Sequence, residues 1–229
     1  MEDFIKKRLS EQKMFLLFKK IPIQILQPLP SHINIQEVVD IVESKIPSIF
    51  FTHTNIESIY VGKFKHLVDR NIQASYEGGT IYLSNHEDNP NIDALQIAKD
   101  ITHEVAHAVH EVAGLGIFGD RLLESEFVGK RRALGNLLQM EGYDIQHYDF
   151  YNVEFDERFD EFLYKEVGYE ELSMLTIGLF DSPYSATSIH EYFANGFEDF
   201  FFGDIAYLKN ISEELYNKVE SSPTYLKEL

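Results

Sequence analysis

The chain contains no cysteine. That removes disulfides, thiolate metal sites and cysteine nucleophiles together, so any zinc site here must be built from nitrogen and oxygen donors. Basic residues are also scarce: 20 Lys and Arg stand against 38 Asp and Glu, for a net charge of -18. A field of that sign repels phosphate backbones, which argues against nucleic acid as a partner and favours neutral or basic ones. The same acidity also serves plain solubility. Long apolar runs are missing as well. The short run Met14-Phe15-Leu16-Leu17-Phe18 is closed by lysines on both sides, and it is too short for a signal h-region or a membrane span. The expectation is a protein without signal peptide or transmembrane segment, making no contact with membranes and used in the cytoplasm or inside a particle. Internal repeats, low-complexity tracts and long Pro/Gly linkers are absent too. The 229 residues, 44% of them hydrophobic, are enough for one large domain or two lobes around a cleft.

Against these absences stands His103-Glu104-Val105-Ala106-His107. Positions i and i+4 of a helix lie one above the other, so both imidazoles can reach a single ion at about 2.0–2.1 Å. Glu104 then points beside the ion, where it can take a proton from water, the general-base role of an H-E-x-x-H pattern. The flanking sequence supports a helix. Ala94, Ala98, Ile101, Val105, Ala108 and Val112 recur at alternating steps of four and three, which is one buried stripe. Asn91 is a candidate N-cap and Gly114 a candidate stop. The opposite stripe reads Gln96, Asp100, His103, His107, His110, more histidine than a purely structural polar face would carry.

The elements around this helix predict an α+β chain. Ile21 to Leu26 alternates and reads as a strand, stopped by Pro28 and Pro30; Ile33 to Ile46 reads as a helix capped by Asn34 or Ser31; Ile56 to Phe64 reads as a second strand. Gln73 to Glu77 and Gly79 to Ser84 are strand segments around a glycine pair that serves as a hairpin turn or a bulge. Past Gly114 helices dominate: Asp120 to Glu141, carrying the cluster Lys130-Arg131-Arg132, then Asp156 to Val167 and Tyr169 to Phe180. The polar and aromatic stretch Gly142 to Phe155 reads as a packed loop or a flap. A lobe boundary is expected at Gly114 to Gly119, giving residues 1–114 with a small mixed sheet and the histidine helix, and residues 115–229 as a mainly helical lobe.

Two histidines do not complete a catalytic zinc site. His110 lies seven residues after His103, about 10.5 Å along the axis, too far for all three rings to share an ion. A third histidine of the H-E-x-x-H-x-x-G-x-x-H type fails because residue 110 is His where glycine belongs and residue 113 is Ala. The remaining candidates lie in Ser188-Ile189-His190-Glu191-Tyr192-Phe193-Ala194-Asn195, a helix opened by Ser188. Glu191 there could complete a capping box or reach the metal. His190 is its rival, although adjacent helical residues point about 100° apart and only one should face the ion.

At Glu191-Tyr192-Phe193-Ala194, with Tyr184 seven residues before the glutamate, the chain resembles the anthrax lethal-factor-type zinc metallopeptidases. The resemblance covers the two motif helices and, more loosely, the strand before the first; it leaves out residues 115–180. It implies a zincin-like fold and zinc-dependent endopeptidase activity. His103, His107 and Glu191 would be the zinc ligands, Glu104 the base, and Tyr184 the hydroxyl that stabilises the oxyanion or protonates the leaving group. It also implies a substrate peptide lying along an edge strand before the zinc helix, here the segment with Gly79, Thr80, Ile81 and Tyr82. Where that family tends to carry an acidic residue one turn after the glutamate, this chain has Asn195; Asp199 or Asp100 could orient a ligand histidine instead. Small acidic proteins of this appearance also occur in large bacteriophages, so a non-catalytic virion or host-takeover protein that keeps the fold is the alternative.

Overall fold

The computed structural model describes residues 14–89 and 91–228. The chain divides into two compact units, Met1–Val112 and Ala113–Leu229. The class is α+β, with a small mixed sheet in the first unit and helices in the second.

In the first unit, strands β1 (Met14–Leu17), β2 (Ile21–Ile25), β3 (Ser58–Gly62), β4 (Ala74–Glu77) and β5 (Thr80–Ser84) form one sheet in the order β1-β2-β3-β5-β4. The neighbours β2, β3 and β5 run parallel, while β1 and β4 pair antiparallel at the two ends. The register sets Ile23 opposite Ile59, and Ile59 opposite Ile81; Val61 faces Leu83 one step further along. All five side chains are fully buried. Side chains alternate across a strand, so these residues make one apolar face, each contributing about 1.5–3 kcal/mol by burial. Tyr60 and Tyr82 point to the other face and stack at 6.2 Å. The run Met14 to Leu17, read from sequence only as a short apolar stretch, becomes a strand because β2 supplies its hydrogen-bonding partner.

Helix α1 (Ile35–Lys45) begins where the Asn34 side chain accepts the Gln36 N–H at 3.0 Å, and buries Ile35, Val38, Val39 and Val42. The short helices α2 (Ile49–Thr52) and α3 (Lys65–Arg70) complete the connections between strands. Between β4 and β5 the glycine pair makes a two-residue hairpin turn, with Gly78 and Gly79 both at positive φ and Glu77 opposite Thr80, the conformation such turns require. Gly79 has a second reason to be glycine: a Cβ there would lie 2.7 Å from the Asn55 carbonyl, and the Gly79 carbonyl already accepts the Glu57 N–H at 2.7 Å.

Helix α4 (Ala94–Phe118) carries the two histidines. It differs from the sequence expectation at both ends. The capping carboxylate is Asp93, which accepts the Gln96 N–H at 2.8 Å, whereas the Asn91 N–H donates to Asn89 outside the helix. Gly114 does not stop the helix, which runs on through Gly116 to Phe118. Gly116 is needed for packing: a Cβ there would lie 2.7 Å from the Tyr225 ring.

The second unit contains α5 (Leu122–Met140), α6 (Glu157–Glu161) running into a π-helical stretch Phe162–Val167, α7 (Tyr169–Leu175), a 3-10 turn Pro183–Ala186, α8 (Ile189–Phe202), α9 (Ile205–Ile211) and α10 (Glu213–Lys227). The helix expected over residues 156–167 therefore widens halfway, and the one expected over 169–180 ends at Leu175. Gly196 lets α8 and α10 meet, since a Cβ there would fall 2.2 Å from Leu215. Glu126 on α5 ties the same elements, accepting the Tyr192 hydroxyl at 2.8 Å and the Glu214 and Leu215 N–H groups that open α10. Of the basic cluster, Lys130 and Arg131 are buried while Arg132 is exposed. Arg131 is fully buried, stacks 4.0 Å over Phe159 and donates to the Asn152 and Asp149 carbonyls, so the 142–155 stretch is a loop pinned by that guanidinium. Burial lowers the Arg131 pKa to about 10.

Candidate metal centre

On α4 the polar stripe is organised by its own side chains before any ion is considered. Gln96 donates to Asp100 at 3.0 Å, one turn on, and Thr102 turns its hydroxyl back to the Ala98 carbonyl at 2.8 Å. His103 and His107 follow at i and i+4, half-buried, with their rings edge to face at a centroid distance of 5.1 Å and an angle of 71°. Glu104, between them in sequence, is only 5% exposed. His110 is half-buried on the same helix and takes no part in the ligand group described below.

Glu191 lies in the first turn of α8. Ser188 caps that helix by accepting the Glu191 N–H at 3.1 Å, so the cap uses the glutamate's backbone. One nitrogen each of His103 and His107 and one carboxylate oxygen of Glu191 all lie within 4.8 Å of one another. His190 is engaged elsewhere: its Nε2 is 3.4 Å from the Glu154 carboxylate and its ring packs edge to face on Phe118 at 5.5 Å. Of the two candidates that sequence left open at the start of α8, the glutamate is the one in the group.

Two imidazoles and a carboxylate form one of the established donor sets of catalytic zinc sites, with bonds of about 2.0–2.2 Å and a fourth position left for water or substrate. A chain without cysteine can offer zinc no softer ligands. The residues present therefore fit zinc by their chemistry and by their grouping.

The remaining predicted residues fall in several places. Tyr184 is half-buried in the 3-10 turn, where its N–H donates to Ser182 Oγ at 3.1 Å and its carbonyl accepts both the N–H and the hydroxyl of Thr187. Asn195 donates to the Glu191 carbonyl at 2.8 Å, so it holds that residue through the backbone. Asp100 lies 3.7 Å from His86 Nε2, and Asp199 sits in the last turn of α8 beside Gly203. The segment expected as an edge strand is not one. Thr80, Ile81 and Tyr82 belong to β5, which is hydrogen-bonded to β3 on one side and β4 on the other, and Gly79 is in the turn. The hairpin places β4 at that end of the sheet, and the Tyr76 hydroxyl on β4 donates to Glu111 on α4. Burial, together with that contact with a carboxylate, raises the Tyr76 pKa far above its usual value.

His86 was not found by sequence reasoning. It is fully buried at a positive φ beside Asp100, neither ring nitrogen has a hydrogen-bond partner among the described residues, and burial lowers its pKa. It follows β5 in an irregular segment, where no periodicity singles it out. Compared with family models, with curated proteins and with solved structures, the chain finds no match in any of the three.

Proposed function

We propose that this chain is a zinc-dependent endopeptidase of the zincin type, with His103, His107 and Glu191 as the ligands. The observation that carries the reading is the gathering of those three donor groups from α4 and α8, with a buried glutamate between the two histidines in sequence. Zinc, when bound, supplies Lewis acidity that polarises a carbonyl and makes water acidic near neutral pH. Glu104 accepts the proton of the attacking water and returns it to the leaving amine. Tyr184 donates its hydroxyl to the oxyanion, the group on which negative charge develops. The substrate strand pairs with β4, which ends the sheet and is tied to α4 through Tyr76 and Glu111. Main-chain pairing of this kind accepts many sequences and leaves selection to side-chain pockets.

Metal analysis of the purified native chain and of Glu191→Ala, with cleavage of a mixed peptide library by each, tests this assignment. One zinc per native chain with peptide cleavage, and loss of both in Glu191→Ala, is the expected result. Native-like zinc affinity in Glu191→Ala would remove the carboxylate from the ligand set.

A further inference from the structure

The turn that carries Tyr184 is held from behind by a network that the proposed chemistry does not use. Lys130 on α5 is buried and donates to the Leu179 carbonyl, to the Ile211 carbonyl at 2.6 Å and to Ser212 Oγ at 2.9 Å, fixing the segment that leads into the turn. Two residues on, Asp181 Oδ1 accepts the hydroxyl of the fully buried Ser185 at 2.7 Å. Ser182 caps the turn through the Tyr184 N–H, and its carbonyl accepts the Ser185 N–H at 3.2 Å. Asp181 thus reaches over Tyr184 to the residue after it. Its other oxygen, Oδ2, is buried without a hydrogen-bond partner among the described residues, an expensive place for a negative charge.

The groups that act on this carboxyl are Asp199 on α8, which opposes its ionisation, and the Lys130 ammonium, which favours it; Tyr192 on α8 also feels its charge. Burial outweighs the rest, and the Asp181 pKa is pushed up to about 7.

We propose that Asp181 is the positioning residue of the Tyr184 turn: the turn stays latched over the buried Oδ2 while the carboxyl is protonated, and a charge on that buried oxygen loosens it, working against the Ser185 hydrogen bond. The sign follows from linkage. Opening the turn returns the carboxyl to water, where it ionises near its ordinary 3.8; between that value and the value in the closed turn, the closed state holds one proton more than the open state. Each pH unit across that window therefore makes opening about tenfold easier. The consequence for catalysis rests on the reading of Tyr184 given above; the latch itself does not.

Amide hydrogen exchange on the full native chain, Asp181→Asn and Ser185→Ala from pH 5 to 8.5 reads the latch directly. In the native chain the protection factors of the Ser185 and Thr187 amides should fall about tenfold per pH unit up to about pH 7 and level off above it. Asp181→Asn, a neutral isostere, should give flat protection. Ser185→Ala, which removes a hydrogen bond that favours the ionised form, should move the levelling point to higher pH. A flat native profile, or a native-like slope in Asp181→Asn, overturns the proposal. Cleavage of a library of basic peptides separates it from the reading it rests on. Asp181→Asn should extend kcat to higher pH with KM and zinc content unchanged. If Tyr184→Phe cleaves as well as the native chain, the role of Tyr184 fails, while the exchange profiles still decide the latch.

Discussion

Glu104 is a carboxylate almost withdrawn from water on the helix that carries both histidines, and its proposed work is proton transfer. Glu104→Gln keeps the shape and removes the base, so it should retain zinc while losing roughly 100- to 10,000-fold in kcat, the range typical of a positioned acid–base group. His190 and Glu191 give a sharper contrast because they are neighbours. Glu191→Ala should weaken zinc by more than the roughly 10- to 100-fold seen for groups that only orient ligands. His190→Ala, whose ring faces Glu154 and Phe118, should leave metal affinity within a few-fold of native. Equal losses from the two, measured by competition with a chelator, would contradict the assignment. Among individual residues, the histidine pair was legible because spacing on one helix fixes geometry. Glu191 was legible only through its neighbours and Tyr184. His86 and Asp181 were not legible at all, since the burial of a polar atom outside regular structure is a product of tertiary packing.

At the scale of elements, periodicity located the helices, and packing decided where they end. Sequence placed a stop at Gly114 because glycine often closes a helix, yet α4 continues and uses Gly116 to admit the Tyr225 ring. The strand error has a similar cause. Alternation identifies a strand but not its place in a sheet, and only the hairpin at Gly78-Gly79 reveals that β5 is interior and β4 terminal. The same reasoning yields a stability prediction. Gly196→Ala sets a methyl against Leu215 where α8 meets α10, and should cost about 1–3 kcal/mol, as overpacking does. Denaturant unfolding checks this. A variant as stable as native would mean that the two helices separate at little cost, and that α8 is not held where its first turn needs to be.

For the whole molecule, charge and pH set the terms. With a net charge of -18, basic peptides should be cleaved with higher kcat/KM than acidic ones, and the advantage should shrink as salt rises; equal rates on charge-reversed libraries would contradict this. Asp181 adds a pH term of defined sign. Its folded pKa of about 7 lies above the ordinary 3.8, so its contribution to stability is greatest in acid and is lost as pH rises through that window, by about 4 kcal/mol at most. Asp181→Asn should therefore be more stable than native at pH 8, with the gap closing towards pH 5, as read from urea midpoints. The central claim, that His103, Glu104, His107 and Glu191 form a working zinc centre, is tested most directly by measuring bound zinc and peptide cleavage side by side in the native chain and Glu104→Gln. One zinc per chain in both, with cleavage only by the native chain, is the expected result. Zinc in both with no cleavage by either would leave a structural metal protein, and a native chain that binds no zinc would contradict the account outright.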